Sequence, residues 1–298
     1  MQSIFISIPS YRDAETSKTI IDLFEKSSGK FTLKVGVFWQ LADEDAHLIP
    51  DSLYKYRIHN LYCKNTDSMG CCWARSEIYT KLYTGEDYFL GIDSHMRFEQ
   101  DWDVTLVLLL TSLGEKSIIS TYPNAYDLPG NDENLHRNGP LKIVAHGKNY
   151  ENMPLLSPRS CSAEVCENYY IAAGLLFSYG NLMTEVPYDP NLYFFGEEIS
   201  FSVRCWTRNW TIYNPGVVVA FHYYVRTSGE PKHWTDNIKP EQVVFRNNSV
   251  KRVKHLMGLE TSTDPKVLFE LDKYGLGTDR TMAEYYATTG ILNLEVMT

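Results

Sequence analysis

Apolar and polar positions alternate between two periods along most of this chain. "IFISI" (Ile4 to Ile8) is a short apolar run closed by Pro9, which reads as a buried strand. Ile20, Ile21, Leu23 and Phe24 then recur at helical spacing between Glu15 and Lys26, and "SSGK" ends that helix. "FTLKVGVFWQ" (31–40) reads as a second strand, Tyr56 to Cys63 as a third, Met69 to Leu82 as a helix and "DYFLGID" (87–93) as a fourth strand. Trp102 to Leu113 is an apolar helix, and "SIISTYP" (117–123) is another strand. Residues 124–168 are polar, with Pro, Gly and Asn scattered through them, and read as loops with a hairpin. Loops this long inside one domain are usually functional. "YYIAAGLLFSYG" (169–180) is a strand entering a turn or short helix, "GEEISFSVRCWTRN" (196–209) a helix with an acidic start, and "VVVAFHYY" (217–224) an apolar run reaching His222. The remainder mixes helix and loop.

Strands alternating with helices predict an α/β fold, a doubly wound and mainly parallel, Rossmann-like sheet flanked by helices. Ligands bind such sheets outside the carboxyl ends of the strands. Asp93, at the end of a buried strand, is therefore expected at the binding edge.

Composition narrows the partners. The chain has 298 residues, of which 44% are hydrophobic and 22% charged, as in ordinary globular proteins. Its formal net charge of −9 argues against a nucleic-acid partner, because such a surface repels phosphate backbones. The longest aliphatic run, Val104 to Leu110, falls far short of a membrane span, and "MQSIFISIPSYRD" has no basic leader. The expectation is a cytoplasmic, non-anchored protein. The six cysteines show no CxxC spacing and are expected to be reduced, packed thiols.

Three acidic triplets are candidate metal ligands. Asp43-Glu44-Asp45 lies in a polar stretch and reads as a solvated loop. Asp101-Trp102-Asp103 precedes an apolar helix and reads as its cap. Asp93-Ser94-His95 differs, because "YFLGI" delivers it to a strand end; a metal site and a plain strand-end turn both remain open there. A carboxylate with an imidazole suits Mn²⁺ or another first-row ion better than Ca²⁺. His222, at the end of its own apolar run, is the best third ligand, against the alternative of a packed core histidine.

Taken in order, "GIDSHMRF", "IAAGLLFS", "FFGEEISFSVRCW" and "FH" resemble metal-dependent glycosyltransferases of the GT-A fold, distantly the polypeptide N-acetylgalactosaminyltransferases. "IFISIPSYRDAETSKTI", "VGVFWQ", "CCWARS" and "GEDYFLGIDSHMRF" are similar to the cytoplasmic hydroxyproline N-acetylglucosaminyltransferases of protists and their bacterial and viral relatives. The resemblance covers roughly residues 1–240. It implies a catalytic domain over 1–240, with a nucleotide-sugar-binding half (1–95) and an acceptor half (96–240), followed by a helical extension (241–298) packed on the same domain. It implies Asp93, His95 and His222 as ligands of Mn²⁺, or of Mg²⁺ or Co²⁺. Pro9, Ser10 and Arg12 would line the uridine pocket, and Ser94 would join the donor contacts. Arg75 and Asp93 would serve the leaving diphosphate. Glu197 would contact the donor sugar, with Glu198 sharing that role or capping its helix.

The resembling families retain anomeric configuration. The implied reaction is front-face transfer of N-acetylglucosamine from UDP-GlcNAc to a hydroxyl of hydroxyproline, Ser or Thr in a protein, with double displacement through Glu197 less favoured. UDP-GalNAc or UDP-Gal used to build a surface glycan is the alternative. A non-catalytic nucleotide-sugar or protein-binding module and a nucleotidyltransferase are disfavoured, by the intact triad and by the lack of a glycine-rich phosphate loop respectively. A homo-oligomer is compatible with the sequence. Tyr223, Tyr224, Arg226, His233 and Trp234 read either as a lid over the donor that excludes water or as an aromatic surface loop.

Overall fold

The computed structural model describes residues 1–49, 54–149, 151–225 and 230–297. Its eight-stranded central sheet is built from β1 (Ser3–Tyr11), β2 (Thr32–Leu41), β3 (Ile58–Lys64), β4 (Tyr88–Ile92), β6 (Ser117–Ser120), β10 (Cys166–Asn168), β11 (Leu175–Tyr179) and β12 (Thr211–Asn214). The strand order is β10-β12-β6-β11-β4-β1-β2-β3. β4, β1, β2 and β3 run parallel, as do β6 and β12, while β11 and the edge strand β10 are antiparallel to their neighbours. The sheet is mainly parallel.

Alternation along β1 sorts its side chains between two helical layers. Ile4, Ile6 and Ile8 pack with Ile20, Leu23 and Phe24 of α1 (Thr16–Glu25) and with Trp102, Leu106 and Leu110 of α3 (Trp102–Leu113). Phe5 faces the opposite layer, with Ala74 and Ile78 of α2 (Cys71–Leu82), Leu182 and Met183 of α4 (Leu182–Glu185), and Phe201 and Cys205 of α5 (Glu197–Trp206). Pro9 does not close the strand. Pairing with β4 stops at Ser7, while pairing with β2 runs on to Tyr11, so a residue without an N–H is tolerated where one neighbour is missing.

A second sheet of three short strands, β5 (Met96–Phe98), β7 (Asn124–Ala125) and β13 (Ala220–His222), escapes the periodicity. β13 pairs antiparallel with β5 and sets His222 opposite Met96, one residue from His95. The polar section 124–168 does contain a hairpin, β8 (Leu141–Lys148) with β9 (Pro154–Ser160). The C-terminal part carries α6 (His233–Asp236), α7 (Pro240–Leu256), α8 (Pro265–Leu268), α9 (Leu271–Tyr274) and α10 (Met282–Thr289). Val253, Met257 and Tyr285 of this part join Ile199 and Val203 of α5 in one apolar cluster. Arg252 of α7 is buried with its Nε 2.6 Å from Asp189, and donates to the carbonyls of Val267 and Phe269. Truncating it would strand the Asp189 charge, at a cost of about 3–5 kcal/mol.

The two other acidic triplets differ in part from their sequence readings, although Asp43 and Glu44 are exposed as expected. Asp101 takes a left-handed conformation and makes no side-chain cap on α3, whereas Asp103 accepts from the Ser28 N–H and hydroxyl. Asp45 is buried rather than solvated, because its carboxylate pairs with Arg12 at 2.6 Å. Among the described residues, no helix is long and apolar enough to cross a membrane.

Candidate functional site

The carboxyl ends of β1, β2 and β4 open onto one cleft. β4 is buried throughout and delivers Asp93 to its floor. Beside it α2 starts at Gly70, whose φ of +94° and Cβ position 2.1 Å from the Tyr193 carbonyl oxygen exclude any larger residue. One turn into α2, Arg75 lies fully buried. Its guanidinium reaches the Asp93 carboxylate at 2.7 Å and Glu197 at 3.0 Å, and donates to the Ile92 carbonyl at 3.2 Å. Cys71 Sγ donates to the other Glu197 oxygen at 3.0 Å. Arg75 thus lies beneath the cleft floor and holds two carboxylates at fixed positions. Burial pushes the Glu197 carboxyl up, against the opposing pull of Arg75.

Two histidines meet Asp93, one from two residues further along the same turn and one from the end of β13. His222 Nε2 lies 3.2 Å from Asp93 Oδ2, and the His95 and His222 rings are 4.5 Å apart, edge to face. One ligand atom from each of Asp93, His95 and His222 falls within 4.8 Å of the others. His95 Nδ1 is 2.6 Å from Asp13 Oδ2, which also accepts from the Ser94 hydroxyl at 2.6 Å. A carboxylate on one imidazole nitrogen fixes the tautomer and leaves the other nitrogen for an ion, an arrangement common around metal-binding histidines. Thr19 locks the turn, donating to the Ser94 carbonyl and accepting from the Met96 N–H, each at 2.8 Å. Gly174 completes the cradle, since a Cβ there would sit 2.9 Å from Asp93 Oδ2. Burial opposes ionisation of Asp93, yet the His222 hydrogen bond and the Arg75 charge outweigh it and hold the carboxyl well below the usual range. This donor set, with its oriented imidazole, fits a divalent first-row ion.

Asp93 and His222 separate the cleft into two lobes. The outer lobe, about 260 Å³, is walled by Pro9, Tyr11, Gln40, Tyr223, His233 and Trp234. The inner lobe, about 310 Å³, is lined by Arg75, Glu197, Glu198, Tyr122, Gly174 and the hairpin residue Leu155. In it Glu198 accepts from the Tyr122 hydroxyl and from the Ala173 N–H, the latter at 2.9 Å. Burial, helped by the charges of Glu197 and Asp93, raises the Glu198 carboxyl to about 7. At neutral pH this group can give up or take a proton.

The sequence-derived candidates divide accordingly. Asp93, Ser94, His95, His222, Arg75, Glu197, Glu198 and Pro9 come together at the cleft. Ser10 and Arg12 do not. Strand alternation turns Ser10 toward α1, where it bonds Thr16 at 2.7 Å, and Arg12 binds Asp45, Glu44 and Asp236 instead of lining either lobe. Tyr223, Tyr224, His233 and Trp234 wall the outer lobe, with the His233 ring 4.8 Å from that of Trp234. Arg226 lies outside the described residues. The sequence reading missed Asp13, Tyr11, Cys71, Tyr122 and Gly174. Asp13 and Tyr11 flank Arg12 and were within reach, since a strand-end segment offers alternate residues to one face. Cys71, Tyr122 and Gly174 carried no spacing signal.

The model of the Glycosyltransferase (GlcNAc) family matches this chain over residues 3–59 and 49–294. Comparison with curated proteins finds no match by sequence. Among solved structures, the chain is similar to GalNAc-T7, in a crystal structure with UDP, GalNAc and Mn²⁺, at 14% identity and a TM-score of 0.67, covering 97% of this chain and 57% of that one. It therefore spans little more than half of GalNAc-T7. It is also similar to S. aureus TarS 1-349 in complex with UDP-GlcNAc, at 13% identity and a TM-score of 0.55, covering 95% of this chain and 69% of that one.

Proposed function

The chain belongs to the Glycosyltransferase (GlcNAc) family, and from that premise we propose that it transfers N-acetylglucosamine from UDP-GlcNAc to a hydroxyl of hydroxyproline, Ser or Thr in a protein acceptor. The observation that carries this reading is the Asp93–His95–His222 cluster at the sheet's carboxyl edge, backed by Asp13 and joined through Arg75 to Glu197. The complexes of GalNAc-T7 with UDP and Mn²⁺ and of TarS with UDP-GlcNAc support the donor class.

Asp93, His95 and His222 would hold a divalent ion, Mn²⁺ first among candidates, which as a Lewis acid neutralises the charge that grows on a departing diphosphate. The outer lobe, within residues 1–95 and the aromatic segment after His222, takes the nucleotide. The inner lobe takes the sugar and the acceptor, with the hairpin in residues 96–240 as the acceptor wall and residues 241–298 supporting α5 from behind. Arg75 keeps Asp93 ionised and pins Glu197 toward the sugar hydroxyls. Both Glu197 oxygens are engaged, one by Arg75 and one by Cys71, so Glu197 is poorly disposed as a nucleophile. That favours front-face transfer with retention, in which a donor phosphate oxygen takes the acceptor proton.

Glu198 favours a second reading of the mechanism. A carboxyl raised to about 7 and lining the inner lobe suits a general base for in-line attack with inversion.

UDP release from a panel of UDP-sugars, with Mn²⁺ and with EDTA, tests the activity. We expect release from UDP-GlcNAc that needs the ion and is lost in His222→Ala. Release that persists in EDTA would remove the metal from the reading. NMR of the anomeric linkage in the product decides between the two mechanisms.

A further inference from the structure

Two thiols and a carboxylate come together at a point that the proposed transfer does not use as a set. Cys71 and Cys72 open α2, and Glu197 opens α5. The Cys71 N–H donates to the Tyr193 carbonyl at 3.0 Å, which holds the two helix starts against each other. The Sγ atoms of Cys71 and Cys72 and a Glu197 oxygen lie within 4.8 Å of one another. Zn–S bonds of about 2.3 Å in a tetrahedron set ligands roughly 3.8 Å apart, so small side-chain rotations suffice to close this cluster on one ion.

We propose that Cys71, Cys72 and Glu197 form a second metal site, selective for a thiophilic divalent ion such as Zn²⁺ or Cd²⁺. Ligand softness separates it from the Asp93–His95–His222 cluster, whose nitrogen and oxygen donors suit Mn²⁺. Two thiolates and the Glu197 carboxylate against a divalent ion leave one negative charge, beside the Arg75 guanidinium that Glu197 shares with Asp93. Each Sγ–H gives its proton to solvent as its bond to the ion forms, and the positive end of α2 favours the resulting thiolates. Access runs through Cys71, which lines both lobes of the cleft, while Cys72 closes the site from beneath at 1% exposure. The Glu197 oxygen that faces Cys71 is not the one paired with Arg75, so the ion can bind while that pair stays.

The test uses the full chain saturated with Mn²⁺ and titrated with Cd²⁺, read by the ultraviolet charge-transfer band of cadmium thiolate. We expect a band that saturates at one equivalent, is lost in Cys71→Ser and in Cys72→Ser, and survives in Cys161→Ser, Cys166→Ser and His222→Ala. Glu197→Gln should keep the band and weaken Cd²⁺ binding by at least about tenfold. No band in the wild type, or a band that persists in both serine variants at positions 71 and 72, overturns the proposal. Thermal melting shows whether those variants fold. If they do not, labelling of the wild type with N-ethylmaleimide decides: one equivalent of Cd²⁺ should slow modification of Cys71 by about tenfold while the exposed Cys166 reacts as before. Equal labelling with and without Cd²⁺ also overturns it.

Discussion

Asp13→Asn isolates the support behind His95, the histidine proposed as a metal ligand. Asp13 Oδ1 accepts from the Glu15 N–H at 2.9 Å, while Oδ2 accepts from the Ser94 hydroxyl and faces His95 Nδ1, each at 2.6 Å. An amide of the same shape cannot serve all three. With its NH₂ toward His95, it forces Nδ1 to accept and puts the ring proton on Nε2, the nitrogen an ion needs. With its oxygen toward His95, it sets NH₂ against the Glu15 N–H, two donors face to face. Removing such an outer partner typically costs 10–100-fold in metal affinity, about 1.4–2.7 kcal/mol. The assay is Mn²⁺ titration of UDP binding by calorimetry, followed by UDP release across the same Mn²⁺ range. We expect the half-saturating Mn²⁺ to rise by that factor and turnover to recover at high Mn²⁺. An unchanged Mn²⁺ dependence would falsify the orienting role, and lost turnover that no Mn²⁺ concentration restores would assign Asp13 a different one.

Gly174→Ala places a methyl 2.9 Å from Asp93 Oδ2, and Asp93 cannot retreat because Arg75 and His222 hold it. The overlap is worth about 1–3 kcal/mol, to be read as weaker metal-dependent UDP binding with little change in secondary structure by circular dichroism. Arg75→Ala strands Glu197 and should lower unfolding free energy by about 3–5 kcal/mol in urea; adding Glu197→Ala should recover part of the loss, and strictly additive losses would refute the coupling. Glu198 gives a pH signature. Its folded value near 7 lies above the ordinary 4.5, so the folded chain holds the extra proton between them, and this contribution to stability is full below 4.5 and lost as pH rises through 7. The loss is about 3 kcal/mol at most, and Glu198→Gln should flatten that part of the urea-midpoint profile.

The main-sheet strands β1 to β4 and the helices α1, α2, α3 and α5 were legible in the sequence, because their apolar residues recur at the strand or helix period over long enough runs. The three short strands of the second sheet were not, although the four-residue β6 was read from its apolar run. β5, β7 and β13 carry too few positions to show a period, and only the pairing of β13 with β5 brings His222 to His95 across more than a hundred residues. β11 shows the same limit differently: its apolar run marked a buried strand, but direction is a matter of chain path and left no local trace.

At the site, the sequence by itself determined the residue types proposed as ligands and their place at a strand end. Asp93-Ser94-His95 follows a run that can only be buried, and chemistry of that kind is local. Which oxygen and nitrogen face which partner was decided by the tertiary structure alone. Arg12 was expected on the donor and instead anchors Asp45 and Asp236, whereas its unremarked neighbour Asp13 orients His95. Both residues lie past the end of β1, with Arg12 in a left-handed conformation, and the charges that compete for them come from other segments. Arg75 was a candidate from the sequence, yet its burial between Asp93 and Glu197 exists only once α2 and α5 are packed, because an ion pair of that kind depends on distances that no local pattern encodes.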